Sequence, residues 1–546
     1  MTEAAAEYRK MFDRVTIAGS VILVSLLIGL IIWGVYYIRQ YEGIVTVDAF
    51  NQGQVARQFY LGEGLTTQVI KPISLLLGST MERIPDAYIS PLPVIVLAWF
   101  LNLAGVNDGA LLAYSLFWAF LTGAALFIFV RVLFRDLIVA ALAFLLYMSN
   151  IALIESGFSG QSFPLVSFFL LLYLWLYYKR NRASLPFSSL LGGLAGLLYL
   201  SEFDFFLLVI PLAVFLFFDS PYRRRTHVFL FLAGFCLVSL PWLVRNAVVF
   251  GNPFFSLRWL DFKSYSLLFP GNRLSRDFSS LAFSVAFPFS VFWNKFLMFV
   301  RLMHPLWLSF SLSLLTPLFL AGFLFRFRDT RWSRAARLSV TLFFSQLVLI
   351  AAGNGDLTRM LYFIPLLVIG GLAVLDELLD RFRNWGRKSF SALVACFCLV
   401  SAFPGLVSLA YGLPLPRYLP VVFTPEEAAQ IRDDGPLERL QRLVRPDEAA
   451  ASDIPWAVAW YANRRAVWIP WEIGQMREIK ELVPRVRFLH LSPVIFKYPE
   501  IENVGAWRQI YRSGRVPEWL EVDRGLLLPG EHLIMGDIIF ERLDLE

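Results

Sequence analysis

Ionisable residues are scarce in this chain, and those that could do chemistry recur at the ends of long apolar runs. Asp48 stands in VTVDAFNQGQVARQFYLGEGLTT, just after the first such run. Glu155, Gln161, Glu202, Asp204, Arg245, His304, Asp356 and Arg359 follow at similar boundaries further along. A carboxylate held where water meets lipid has the type and position of a general base. An arginine in the same layer offers a permanent, forked positive charge suited to a phosphate. Each residue also has a plainer reading. Asp48 would cap the helix that follows it, Arg359 would reach from a span to the interface, Arg245 would bond carbonyls at a helix end, and His304 beside Pro305 would pack. Their gathering at one boundary carries the argument for a site, because charge next to lipid is costly to desolvate.

The elements that must position these residues follow from composition. Of 546 residues, 57% are apolar and 17% charged, whereas soluble domains run nearer a quarter charged. Apolar stretches of about 20 residues, each enough to cross a bilayer, recur between residues 15 and 411. A cytosolic enzyme, a disordered chain and a disulfide scaffold are excluded. The net charge of +7 is that of cytoplasmic loops rather than of a nucleic-acid binder. Cys236, Cys396 and Cys398 all lie inside apolar runs and form neither a disulfide framework nor a CxxC metal site. The run from about Val15 to Ile38, preceded by Arg9, Lys10 and Arg14, reads as a retained first span with a cytoplasmic N-terminus.

Basic clusters at Arg131/Arg135, Lys179/Arg180/Arg182, Arg223 to Arg225, Arg326 to Arg337 and Arg381 to Lys388 mark the cytoplasmic side. The parity closes only if Pro91 to Ala104 is not a span; at fourteen residues, about 21 Å of helix, it is read as embedded in the outer leaflet. This gives about 11 spans in an all-α polytopic membrane bundle with outer-leaflet juxtamembrane helices. The expected transmembrane domain covers 1–412, with extracytoplasmic loops at 39–108 and 249–304. A C-terminal extracytoplasmic α/β domain covers 413–546, where AAASD (449–453), AVWIP (466–470) and VRFLHL (486–491) alternate as strands with polar helices. Trp456, Trp460, Trp468 and Trp471 are read as its core, with stacking on sugars as the alternative. In the first loop Val55, Ala56, Phe59 and Tyr60 share a helical face opposite Gln52, Gln54, Arg57 and Gln58. An amphipathic helix lying along the outer membrane surface, stopped by Gly62 and Gly64, is therefore expected.

Three blocks carry a family resemblance. VDAFNQGQVARQFYLGEGLTT resembles the first-loop motif of GT-C membrane glycosyltransferases, in the branch of protein O-mannosyltransferases and aminoarabinose transferases. LPWLVRNAVVFGNPF (240–254) is similar to that family's Pro-Trp-x-x-Arg-Asn and Phe-Gly-Asn-Pro block, and LTRMLYFIPLLVIGG (357–371) to the start of a late span. SDIPWAVAWYANRRAVWIP resembles the opening of the extracytoplasmic domain that often ends such chains. The resemblance implies an inverting transfer of a sugar from undecaprenyl or dolichyl phosphate to a glycan, lipid or protein acceptor at the extracytoplasmic face of the inner membrane. It places the catalytic base on Asp48 and a phosphate ligand on Arg359, with Arg245 as a second phosphate candidate. Glu155, Gln161, Glu202, Asp204 and His304 are supporting acidic or polar candidates. The pattern is broken at Ala49, Ser90, Gln161 and Ser201-Glu202, where the family carries acidic or basic residues. No cofactor is certain and a divalent cation stays open, with Glu155, Glu202 or Asp204 as substitute ligands. Two rival readings use the same residues: a transporter or flippase of a lipid-linked sugar, and a membrane scaffold with a degenerate site.

Overall fold

A computed structural model describes residues 24–38, 43–75, 83–180, 184–264, 271–277, 295–300, 315–383, 390–400, 435–497, 504–514, 527–532 and 537–542, apart from a few single positions. His304, and much of the 249–304 loop and of 413–434, lie outside the described residues.

The bundle is built from α1 (Val24–Ile38), α5 (Asp108–Phe134), α6 (Leu137–Met148), α7 (Ile151–Phe158), α8 (Phe163–Lys179), α9 (Leu185–Ser201), α10 (Phe205–Asp219) and α11 (Arg224–Phe250). It continues with α13 (Leu315–Ala321), α14 (Thr330–Ala352), α15 (Ile364–Arg383) and α16 (Phe390–Val400). Between α1 and α5 lie the first-loop helices α2 (Val47–Tyr60), α3 (Pro72–Leu75) and α4 (Pro91–Ala104), and α12 (Arg273–Arg276) belongs to the long loop. Among the described residues, α5, α11, α14 and the 357–381 segment are long and apolar enough to cross a membrane. The pair α6 and α7, bent by 61°, makes a fifth crossing if counted as one span. The bend has a local cause: the Asn150 side chain accepts from the Leu153 amide at 3.1 Å and so starts a new helix. Further apolar helices of 10–17 residues, α8, α9 and α10 among them, complete a polytopic membrane bundle.

Helix packing follows membrane rules. Gly192 and Gly196 on α9 stand four residues apart, and a Cβ on Gly192 would overlap the Phe231 carbonyl of α11. A Cβ on Gly234 of α11 would likewise overlap Ser189. Small residues at this spacing let two backbones meet where no hydrophobic force drives helices together. α4 presents Ile95, Trp99 and Leu103 outward at four-residue intervals, an apolar stripe on a helix too short to span.

Charge separates to two ends. At one, Asp219 pairs with Arg180 at 3.4 Å and Arg334 at 2.9 Å, drawing together three loops that the basic clusters assign to one side. At the other end, Glu202, Asp204, Asp356 and Arg359 gather near Asp48.

The tail is an α/β domain whose sheet borrows a strand from the first loop. With β1 (Thr66–Thr67), β2 (Val69–Ile70), β3 (Ile84–Pro85), β4 (Ala449–Ser452), β5 (Arg465–Trp468), β6 (Val486–Leu491), β7 (Leu527–His532) and β8 (Ile538–Arg542), the order is β2-β5-β4-β6-β8-β7. β2, β5, β4 and β6 run parallel and β8 and β7 close the edge antiparallel. Val69 faces Ala466 and Ile70 faces Val467 in register. β1 and β3 pair separately within the first loop. Trp456, Trp460, Trp468 and Trp471 are all at most 8% exposed and form core or interface.

Candidate active site

Asp48 sits in the first turn of α2, but the cap position belongs to Thr46, whose hydroxyl instead reaches Ser159 O at 3.4 Å. Among the described residues Asp48 makes no hydrogen bond, so the capping reading does not describe it. It lines a recess together with Asn51, Tyr88, Glu202, Arg258 and Arg359. The surface it exposes is cavity wall, and the surrounding protein still desolvates it. Burial raises its pKa, and the charge of Asp356 adds to that, against Arg258, Arg359 and Lys71.

The surroundings of α2 differ from those of an amphipathic helix with its polar side open to water: it is buried from Ala49 to Gln58, its polar residues included. The polar face meets protein partners. Gln54 bonds Thr67 Oγ1 and the Gln68 amide, both at 2.8 Å, and Arg57 donates to Trp460 O at 2.9 Å. The periodicity is that of an amphipathic helix, but on its polar side Gln54 is bonded by the first loop and Arg57 by the tail instead of by water.

Across the recess stand Glu202, Arg258 and Tyr362. Glu202 is held by Arg258 of the long loop and accepts from Tyr362 Oη at 2.9 Å. Arg359, on the 3-10 turn Leu357–Phe363, lines the same space and is held from behind by Asp204 at 2.8 Å and Asp261 at 3.5 Å. Gln346 also donates to Asp204, at 3.1 Å. Asp356 caps that turn through Thr358 N at 3.0 Å. The guanidiniums are thus fixed by carboxylates and still line the cavity, so their charge can meet an anion without reorganising.

Lys71, just before α3, adds a further positive charge. Its ammonium lies 3.1 Å from the Tyr88 ring centroid, and burial lowers its pKa to about 8, against the pull of Asp86 and Asp261. Asp86 shapes the wall by accepting from Ile89 N at 2.8 Å and Tyr88 N at 3.2 Å.

The other candidates separate. Gln161 lines the recess. Glu155 lies on α7 and is not among the residues lining it. Arg245 donates to Leu65 O at 3.0 Å and lies over the Trp242 ring at 4.7 Å, so it braces the first loop against α11. The sequence reading did not single out Lys71, Asp261 or Tyr362 for this site. Each is a lone polar residue among aromatic or apolar neighbours, and no spacing in the chain links them.

The donor set does not fit a metal cage. Among the described residues no three His, Cys, Asp or Glu side chains converge. Around Asp48 the carboxylates of Glu202, Asp204 and Asp261 are each taken by a guanidinium.

An apolar groove between α10 and α14 is lined by Leu207, Pro211, Phe344 and Val348. Its lining residues Leu207 and Ser345 stand close in the chain to Asp204 and Gln346, which bond each other at 3.1 Å.

No family profile and no curated protein matches this chain. Solved structures do. ArnT from Cupriavidus metallidurans in the apo state aligns over 96% of this chain and 98% of its own at 12% identity, with a TM-score of 0.57. The same protein bound to undecaprenyl phosphate aligns over 95% and 97% at 11% identity and TM-score 0.52. The archaeal oligosaccharyltransferase AglB from Archaeoglobus fulgidus, in complex with an inhibitory peptide and a dolichol-phosphate, covers 87% of this chain and 69% of its own at 13% identity and TM-score 0.54. At such identities the likeness shows the fold alone: this chain shares with these structures a polytopic helical architecture carrying a C-terminal domain.

Proposed function

We propose that this chain transfers a sugar from a polyprenyl phosphate to an acceptor at the extracytoplasmic face of the cytoplasmic membrane, with its N-terminus inside and its tail outside. One observation carries the reading: a carboxylate without a hydrogen-bond partner among the described residues, Asp48, lines a recess together with Arg258 and Arg359, each already fixed by acids. The shared fold with structures described as binding undecaprenyl phosphate and dolichol-phosphate supports it.

In this mechanism the acceptor hydroxyl gives its proton to Asp48 as its oxygen attacks the anomeric carbon. The bond from that carbon to the phosphate oxygen breaks, and the polyprenyl phosphate leaves with one more negative charge. A raised pKa makes Asp48 a stronger base than an ordinary carboxylate. Arg359, Arg258 and the Lys71 ammonium stabilise the departing phosphate in a recess partly closed to water. A single displacement inverts the anomeric centre. The polyprenyl chain lies in the α10–α14 groove, and no step uses a metal.

The test is incubation of the purified protein in lipid with a panel of radiolabelled polyprenyl-phosphate sugars and candidate acceptors. Time-dependent release of free polyprenyl phosphate with one donor is expected. Saturable donor binding with movement across a sealed bilayer and no release would overturn the reading in favour of a transporter.

A further inference from the structure

The helix that carries Asp48 is a weak one by its own composition. VDAFNQGQVARQFY contains a central glycine, an asparagine and two valines, residues that favour helix poorly. It is held by packing on α4 and, along its second half, by the tail. Residues Pro455–Ala457 and Val458–Ala462 form a short helix ending in a π turn, with Asn463 left-handed at φ 50°. The last carbonyls of a helix lack intrahelical donors and carry its negative pole. Here Ala459 O and Trp460 O accept from Arg57 of α2, at 2.5 and 2.9 Å.

Four further contacts close the same joint. The Trp460 ring lies flat on α2 at Gly53, where a Cβ would come within 3.1 Å of it. Its indole N–H donates to Asp108 Oδ1 at 2.8 Å and the Tyr461 hydroxyl to Oδ2 at 2.9 Å, tying the turn to the first residue of α5. The Tyr461 ring meets Phe50, two residues from Asp48, edge-on at 5.5 Å. Through Gln54 and Gln68 the helix is also fixed to the segment that supplies β2 to the tail sheet.

We infer that the tail turn 455–462 is a clamp that sets the pose of Asp48, with Arg57 and Trp460 as positioning residues. Arg57 lies nine residues from Asp48, about 13 Å along the helix, and acts through the rigidity of α2 rather than by contact. The C-terminal domain is then part of the catalytic apparatus rather than an appended module. This inference takes its catalytic meaning from the transferase reading, but its structural claim stands apart from it.

The test uses full-length protein in lipid carrying Trp460→Phe, which keeps an aromatic ring and removes the indole N–H together with the fused second ring, or Arg57→Gln. Hydrogen exchange of the α2 amides around Asp48 should quicken about ten-fold, while the β4 and β6 amides keep wild-type protection. Turnover should lose about ten-fold or more in kcat with the donor KM unchanged, since small displacements of a catalytic group are costly. Arg57→Lys, which keeps a donor for the carbonyls, should fall between wild type and Arg57→Gln. Unchanged α2 exchange overturns the clamp, as does equal loosening of β4 and β6. Absence of turnover in the wild type would fail the transferase reading alone, and the exchange comparison would still decide the clamp.

Discussion

Two clusters of buried polar residues invite the same suspicion of chemistry, and they differ in one respect. At the ends of β4 and β6, His490 lies between Ser452 Oγ and Asp537 Oδ2, each at 2.9 Å, while Asp453 takes both the amide and the hydroxyl of Ser492. Serine, histidine and aspartate in a hydrogen-bonded row resemble a nucleophile, a base and its orienter. Yet Ser452 and His490 are fully buried and Asp537 nearly so. At Asp48, by contrast, the acid has no hydrogen-bond partner among the described residues and a cavity in front of it, while its neighbours are held in place. A satisfied, sealed network specifies a fold. A carboxylate left facing space beside fixed cations is equipped to react. Access and an open bonding position, more than residue type, separate the two.

That contrast breaks most sharply at Asp48. Asp48→Asn should lower turnover by about 10²–10⁴-fold, the range expected for a general base, with little change in thermal stability. Arg359→Ala should follow at about 10²-fold in kcat. It should also reduce stability, because Asp204 and Asp261 lose the guanidinium they share; melting curves alongside the kinetics separate the two effects. His490→Asn should do the reverse. It should cost the tail about 1–3 kcal/mol through unpaired buried groups and leave turnover per folded molecule unchanged, as read by denaturation and by active-site-normalised rates.

The sealed cluster also predicts a pH response. Burial pushes Asp453 up to about 7, against the charge of His490 and the Ser492 bonds. Burial alone would lower His490, but the Asp537 hydrogen bond and charge, with Asp453, carry it upward overall. Both groups hold a proton more tightly folded than unfolded. The stability they add is therefore full below the unfolded carboxyl value of 3.8 and is lost as pH rises through about 7. The tail should melt higher at pH 5 than at pH 8, and Asp453→Asn should flatten that difference. The smallest effect is expected from a chelator, which should leave turnover unchanged because near Asp48 the acids Glu202, Asp204 and Asp261 are taken by arginines and Asp356 by Thr358.

The sequence discloses the membrane bundle because apolar runs and basic clusters are long-range signals that survive without tertiary context. The tail strands are similarly legible; VRFLHL matches β6 residue for residue, and AVWIP overlaps β5 with an offset of one or two. α2 was legible as a helix, but not its surroundings, since periodicity says which side is polar and not what faces it. β2 could not be read at all. Two residues carry no period, and Val69 and Ile70 become a strand only because β5 lies alongside. In the site, Asp48 and Arg359 are readable from their motifs and boundaries. Lys71, Asp261 and Tyr362 enter it through folding alone, and His304 lies outside the described residues.

The most direct test of the account is single-turnover chemistry with donor already bound. Wild type and Asp48→Asn, each loaded in lipid with a labelled polyprenyl-phosphate sugar, would be mixed with acceptor and sampled for free polyprenyl phosphate. Equal donor binding, prompt release by the wild type and none by Asp48→Asn is the predicted result. Release at the same rate from both proteins would contradict it and return Asp48 to a structural role.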